Sequence, residues 1–464
     1  MSDSSTTAEL VSGLRKLIAE LAAGDRLPSS RELMQRYRVG PGTVSRAIAQ
    51  LTAEGVVLTR PGSGTFVAAR SRSADEVADT AWQTVALTDR MVDVRAITDT
   101  FGPPAPGTIL LNGGYLHRSL QPVRALSAAL ARAARRPDAW DRAPVAGLAP
   151  LRAVFATAAG ADVTADDVLI TAGGQSALSM AFRAIAGPGS PVLVESPTYP
   201  GALAAARAAG LSPVPVPLDA DGVRPELLAE AFAMTGARVF YCQPNSHNPT
   251  GAVLAPERRR QVVEVARAAG AFVVEDDFAR HLGHGGPAPR SLLAEDRDGT
   301  VVQVTSLTKP AAPSLRIGAV IARGPVLERM RAVRQVDDFF VSRPLQEAAL
   351  ELLSAPAWDR HLRALSVALR ERCRELAGAI ERERPDWQLD RLPVGGLHLW
   401  IRLPGGTDDQ VIAGTARAQG VAVSAGRRYF AAEPPAAYLR LSFAEAVDRA
   451  ELVEAAWRLK GLTT

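Results

Sequence analysis

The sequence predicts an α/β fold: a large, mostly parallel sheet covered by helices, with a small helical unit ahead of it and a smaller C-terminal α+β subdomain behind. Three observations carry this. Short β-rich runs alternate with helical ones from about residue 168 to 304; the first 70 residues hold three short helical patterns; and from Trp358 onward long helical patterns give way to separate strands at 397–403 and 438–442. A chain of 464 residues, 47% apolar and 22% charged, has room for a large core and for roughly two to four domains.

In the alternating region, the run 168–171 precedes a helical 175–185, 191–195 precedes 201–209, and 239–242 precedes 256–269. Two further runs end in polar residues: 272–275 leads into Asp276, and 301–304 leads to Lys309. Parallel strands joined by helices gather ligands at the carboxyl ends of the strands, so those ends are where chemistry is expected.

Composition excludes several classes. Cys242 and Cys373 lie far apart in apolar surroundings, with neither a disulfide framework nor metal-ligand spacing, and no metal is expected. The N-terminus lacks a basic region followed by an apolar core, and no apolar run reaches membrane-spanning length, so a cytoplasmic protein without membrane contact is expected. The net charge of +4 is concentrated: residues 1–70 hold nine basic and six acidic side chains. Such an excess is compatible with nucleic acid, and the motif has to decide.

Residues 8–23 place Leu10, Leu14, Leu17, Ile18 and Leu21 at helical spacing and stop at Gly24-Asp25. Ser29 with Glu32 three residues on is a capping box opening a second helix to about Tyr37. After a break at Val39-Gly40, Pro41 suits the first turn of a third helix, on which Val44, Ala47, Ile48 and Leu51 share one face and Thr43, Arg46 and Gln50 a polar side. Residues 54–67 read as two short strands around a Gly-rich turn, a wing. A generic three-helix domain would share this pattern, but the words are more specific. LPSSREL, GPGTVSRAI, EGVV and RPGSGTFV resemble the GntR-type winged helix-turn-helix across nearly all of residues 8–70. The resemblance implies that Arg31, Thr43, Arg46 and the wing residues Gly62, Ser63, Gly64 and Thr65 contact a double-stranded DNA operator. Gly40 stands where that family usually has Ser. The expected domains are 1–70 for DNA binding, a linker at 71–107 with one short helix, and 108–464 for the rest.

Lys309 is the centre of the larger region. Of 53 basic residues only Lys16, Lys309 and Lys460 are lysine. Arginine stays protonated, whereas a lysine whose pKa is lowered by burial or a neighbouring cation can attack a carbonyl and form a Schiff base. Around it, Gly173, Gly174 and Gln175 lie between a strand and a helix start, where backbone N–H groups can hold a phosphate or simply make a packing turn. Tyr199 follows the next strand, either to stack on a flat ring or to pack in the core. The turn from Gln243 to Gly251 places the Asn248 amide at a strand end, or is simply a structural turn. Glu275-Asp276-Asp277 ends an apolar strand, so at least one of these carboxylates approaches the core and needs a cationic partner. Ser306, Thr308 and Arg316 add donors for a phosphate, and Arg440 is a charge within a strand pattern, implying a buried anion such as a substrate carboxylate. His247, His281 and His284 lack metal spacing and are expected on the surface or in loops.

The order Gly-Gly-Gln, Tyr, Asn-Pro-Thr-Gly, Asp, Ser-x-Thr-Lys, Arg, Arg resembles the fold-type I aminotransferases that use pyridoxal 5′-phosphate, over about 108–464. By that resemblance Lys309 forms the Schiff base, Asp276 pairs with the pyridine nitrogen, Asn248 bonds the ring hydroxyl and Tyr199 stacks. Gly173, Gly174, Gln175, Ser306, Thr308 and Arg316 surround the phosphate, and Arg440 takes an amino-acid carboxylate. Phe278 stands where relatives carry a tyrosine on the ring hydroxyl, Trp140 near the place of a partner-subunit tyrosine, and Pro310 is an uncommon neighbour for the lysine. The whole resembles the MocR family of bacterial regulators, which implies a head-to-tail homodimer that binds DNA and senses pyridoxal phosphate, an amino acid or an amine. The alternative is a working aminotransferase with an accessory DNA-binding domain.

Overall fold

The computed structural model describes residues 3–60, 63–68, 80–87, 98, 102, 105–286 and 289–462. Its contacts divide the chain into two compact units, Met1–Met91 and Val92–Thr464.

In the first unit, helices α1 (Asp3–Ala19), α2 (Ser30–Tyr37) and α3 (Pro41–Ala53) precede strands β1 (Val57–Arg60) and β2 (Gly64–Val67), which pair antiparallel. Leu10, Leu14, Leu33, Val44, Ala47, Leu51 and Val57 close one apolar core. The capping box of α2 is complete: Glu32 N–H donates to Ser29 Oγ at 3.3 Å, and Ser29 N–H donates to Glu32 Oε2 at 2.7 Å. Gly40 caps α3 with no side-chain bond. Helix α1 starts and ends earlier than the expected 8–23. Its far end is overridden by a turn in which the Asp25 carboxylate accepts from Ala22 N–H at 2.7 Å, a side-chain bond that competes with helical pairing. A short helix, α4 (Ala81–Ala86), lies within the expected linker, with Trp82 and Val85 exposed.

The second unit is built on eight strands. In chain order these are β4 (Val168–Thr171), β5 (Pro191–Ser196), β6 (Ser212–Asp219), β7 (Gly222–Val223), β8 (Val239–Cys242), β9 (Phe272–Asp276), β10 (Val301–Ser306) and β11 (Gly318–Ile321). Their spatial order is β4-β11-β10-β9-β8-β5-β6-β7. The centre, β10 to β6, is parallel; β11 runs antiparallel to both of its neighbours. Val192, Val194, Val239, Val273, Val274 and Val302 are fully buried, because helices cover both faces.

The small subdomain combines the long helix Pro356–Glu383 with the antiparallel strands Gln388–Leu389, His398–Arg402, Ser424–Ala425 and Tyr438–Ser442. The first strand of the second unit joins it: β3 (Ile109–Leu110) pairs in parallel with Val421–Ala422, and Ile109 and Leu111 are buried in the subdomain core. Nothing so short signals a strand in the sequence.

Both cysteines are free and buried. Among the described residues no helix is long and apolar enough to cross a membrane, and no three metal-ligating side chains come together. Of the histidines expected on the surface or in loops, His247 and His284 lie in loops but are buried. His247 sits beside Glu195 (Nε2 to Oε2, 3.3 Å), and His284 lies between the carbonyls of Pro393 and Gly396, both at 3.1 Å. Their loops are covered by chain distant in sequence, through a bridge between Gly283 and Gly395.

Candidate functional site

On the N-terminal unit, Arg31 and Arg46 are exposed, as are Ser63 at the wing tip and, in part, Gly64 and Thr65. Gly62 lies outside the described residues. Thr43 departs from its expected place on the open face of α3: it is 7% exposed, sitting in the first turn with Arg46 Nη2 3.5 Å from its hydroxyl. Two basic residues that sequence reasoning missed frame the wing. The Arg60 guanidinium lies 5.0 Å from the Phe66 ring centroid, and Arg26 packs so closely that a Cβ on Gly64 (φ 115°) would fall 2.7 Å from its Nε.

In the second unit, every sequence-predicted cofactor residue lines one cavity except Gly173, which lies behind it. The cavity sits at the carboxyl ends of the central strands. Asp276 is the last residue of β9, Ser306 the last of β10, and Gly174 the first of a helix, α5 (Gly174–Ile185), that starts directly beyond β4. At that junction Gly173 has φ 88°, and a Cβ there would lie 3.0 Å from the Arg316 guanidinium. Arg316 is braced through Nη2 to Ala172 O at 2.7 Å. Ser306 Oγ donates to Thr308 Oγ1 at 2.8 Å and accepts from Thr308 N–H at 3.0 Å. A helix N-terminus, two hydroxyls and a guanidinium thus converge as a cradle for a phosphate.

Lys309 Nζ donates to Gly114 O at 2.7 Å and lies 4.0 Å from the Tyr115 ring centroid. Burial, then the nearby Arg440 charge, lowers its amine to about 8, against the opposing pull of Glu445 and Asp276. Opposite, Asp276 Oδ2 accepts from Tyr241 OH at 2.7 Å and Gln243 Nε2 at 2.8 Å. Burial raises its carboxyl to about 6 despite both bonds. No Lys, Arg or His among the described residues forms an ion pair with Asp276; its direct donors are neutral, and Lys309 acts on it only through space.

Arg440 is buried in its strand, donating through Nη2 to the carbonyls of Asn112 and Gly113, both at 2.6 Å, and through Nη1 to Asn248 Oδ1 at 3.3 Å; its Nε has no partner. Tyr199 OH donates to Gln175 Oε1 at 3.2 Å, and burial pushes its phenol pKa well up. Phe278 lines the cavity with no hydroxyl to offer, while Trp140 is 77% exposed.

Several site residues escaped the sequence reading. His398 is buried and lines the cavity with Nε2 unpartnered; burial and the charges of Arg440 and Lys309 hold its pKa well below the usual histidine range. Glu445 faces Lys309 and Arg440 from behind Gly113, whose N–H donates to its Oε2 at 2.7 Å. A polar residue inside a strand pattern, as in Leu397-His398-Leu399, is the signal that could have marked the first; Glu445 gave none.

The residues present fit pyridoxal phosphate on three counts. A buried carboxylate has no ion-pair partner among the described residues, a half-buried lysine amine is lowered to about 8, and a strand-to-helix junction is open to a phosphate because Gly173 carries no side chain.

Comparison with known proteins agrees. Residues 110–459 match the family model for aminotransferase class I and II, and residues 6–67 match that for bacterial regulatory proteins of the gntR family. The chain is 26% identical to the uncharacterized HTH-type transcriptional regulator YdfD of Bacillus subtilis (strain 168), over 92% of this chain and 89% of that protein. It is 27% identical to the Probable rhizopine catabolism regulatory protein MocR of Rhizobium meliloti, over 90% and 87%. Among solved structures, LysN, the α-aminoadipate aminotransferase of Thermus thermophilus complexed with N-(5′-phosphopyridoxyl)-L-leucine, superposes with TM-score 0.76 at 29% identity, covering 82% of this chain and 97% of that one. The chain belongs to the class I and II aminotransferase family, and it carries that fold behind a GntR-family DNA-binding domain.

Proposed function

We propose that this protein is a DNA-binding transcriptional regulator whose aminotransferase-like unit holds pyridoxal phosphate through Lys309 and senses the cofactor or an amino compound that reaches it. The observation that carries this is the presence, in one chain, of a winged helix and of a half-buried Lys309 whose cavity also holds Asp276 bonded directly only to neutral donors. When bound, the cofactor supplies a carbonyl carbon to which an amine can join and a ring that withdraws electrons from it. Asp276 would hold the proton on the ring nitrogen, Asn248 would orient the ring hydroxyl, and Tyr199 would cover a ring face. Ser306, Thr308, Arg316 and the start of α5 would bind the phosphate. An effector carboxylate would compete with the carbonyls of Asn112 and Gly113 for Arg440. Domain boundaries of 1–70, 71–107 and 108–464, and a head-to-tail homodimer presenting two winged helices to a repeated or palindromic operator, complete the reading. An effector acts only by its differential affinity for two dimer states.

The test is an absorbance titration of the full chain with pyridoxal phosphate beside Lys309→Ala, followed by amino acids and an operator-binding assay. A lysine-dependent band that changes with one amino compound, together with DNA affinity and without turnover, is the expected result. The near-complete site supports a second reading, an active aminotransferase, which sustained keto-acid-dependent turnover would favour. Absence of a lysine-dependent band would remove the cofactor from the proposal.

A further inference from the structure

We propose that the second unit carries another ligand site, for a small multivalent oxyanion, in a crevice that shares two chain segments with the cofactor cavity. The crevice, of about 410 Å³, lies between the long helix Pro356–Glu383, the turn at Asn245-Ser246 and the loop around His284. That volume is within the roughly 300–1,000 Å³ of ordinary small-molecule sites.

Its charge is one-sided. Arg280, Arg370 and Arg374 line it, and among the described residues no carboxylate does. Arg370 and Arg374 are one helical turn apart, where like charges repel. Neither has a carboxylate partner among the described residues; the one hydrogen bond of Arg370 runs from Nη1 to His284 O at 3.4 Å. Gly285, at φ 120°, admits that guanidinium, since a Cβ there would lie 2.7 Å from Arg370 Nη1. Arg280 lines the crevice with its guanidinium held in place, Nε donating to Asp277 and Nη1 to Ala158 O at 3.3 Å. Ser246 adds a hydroxyl from a left-handed backbone, φ 48°, a conformation that for a non-glycine residue points to a functional constraint. Three guanidinium-bearing residues around one crevice, Arg370 half-buried and Arg374 exposed, favour an anion, and their planar forks bind carboxylate or phosphate through paired hydrogen bonds.

The site is coupled to the cofactor cavity by covalent adjacency. The turn that offers Ser246 to the crevice offers Asn248 to the cofactor two residues later, and Asp277, paired with Arg280, directly follows Asp276. An anion drawing on Arg280 therefore acts on the neighbour of the carboxylate that awaits the ring nitrogen.

The experiment uses full-length protein with its cofactor fixed by borohydride, so that the cofactor's phosphate cradle is filled. Inorganic phosphate and, separately, succinate are titrated by calorimetry against a chloride control. Saturable binding with a Kd of about 1 mM or tighter is expected. The double variant Arg370→Ala/Arg374→Ala is expected to weaken it about tenfold or more, the scale of a lost charge-assisted pair, while retaining the cofactor absorbance band. Preference for phosphate identifies a phosphorylated ligand, and preference for succinate a dicarboxylate. Equal affinity in the double variant, or an adventitious ion only, without saturation, overturns the site. Should the double variant misfold, Ser246→Ala replaces it: weaker binding supports the site and unchanged affinity overturns it. These positions lie outside the cofactor cavity, so failure here is distinct from failure of cofactor binding.

Discussion

Asp276 sets the electrostatics of the cofactor cavity, because it is ionisable, buried and bonded to neutral donors. Its carboxyl is raised from 3.8 to about 6, so the folded chain binds a proton between those pH values that the unfolded chain has released. Stability of the cofactor-free protein therefore falls as pH rises through that window. Asp276→Asn removes the charge while keeping an oxygen for Tyr241 and Gln243. It is expected to raise the melting temperature of the cofactor-free protein at pH 7, by on the order of 1 kcal/mol of stability, and by less at pH 4. The same variant should bind pyridoxal phosphate at least about tenfold more weakly in an absorbance titration, which is ~1.4 kcal/mol; unchanged binding would remove Asp276 from its proposed partnership. Lys309 shifts the other way, from 10.5 to about 8. In stopped-flow mixing, cofactor capture should rise with a midpoint near 8, whereas a midpoint two units higher would mean a solvated amine. Residue types at or just beyond strand ends made Asp276 and Lys309 legible in the sequence, and a charge within a strand pattern made Arg440 so. Tyr241 and Gln243 were hidden because they reach Asp276 through the parallel register of β8 and β9, with Cys242 opposite Glu275, and His398 because a strand pattern does not say which cavity a face meets.

At the scale of elements, the junction between β4 and α5 is set by one backbone conformation. Gly173→Ala places a methyl 3.0 Å from the Arg316 guanidinium at a φ of 88°, so both strain and displacement of Arg316 follow. The expected cost is about 1–2 kcal/mol in denaturant unfolding, with weaker retention of the cofactor through its phosphate; a variant that keeps wild-type affinity would mean that Arg316 does not hold it. In the first unit, Ser29→Ala removes one half of a formed capping box and should lower stability by about 0.5–2 kcal/mol, read as an earlier thermal transition of that unit. The strand and helix cores at 168–185, 191–209, 239–269 and 272–304 were legible because apolar runs and turn residues alternate there, and the α2 cap because its two residues stand three apart, whereas β6, β7 and the helix Pro225–Thr235 after them were not marked. The end of α1 was not, since the Asp25 carboxylate competes for the backbone. β3 was not either: two residues carry no period, and their strand exists only through Val421–Ala422, more than 300 positions later.

For the whole molecule, affinity for DNA and its dependence on salt are separable from the cofactor chemistry. Arg46→Ala on the exposed face of α3 is expected to reduce the slope of log affinity against log salt by about one if Arg46 meets a phosphate. If it reads a base edge instead, the slope should hold while sequence discrimination falls. Either result, measured by fluorescence anisotropy, leaves cofactor absorbance unchanged. The pairing of β3 bears on how this protein can be dissected. Ile109 and Leu110 fix the chain to the small subdomain, and the next few residues supply the carbonyls of Asn112, Gly113 and Gly114 to which Arg440 and Lys309 are tied. A truncation begun a dozen residues too late would preserve every residue of the aminotransferase signature and still deliver a mistuned pocket, because the two cations would have lost their moorings.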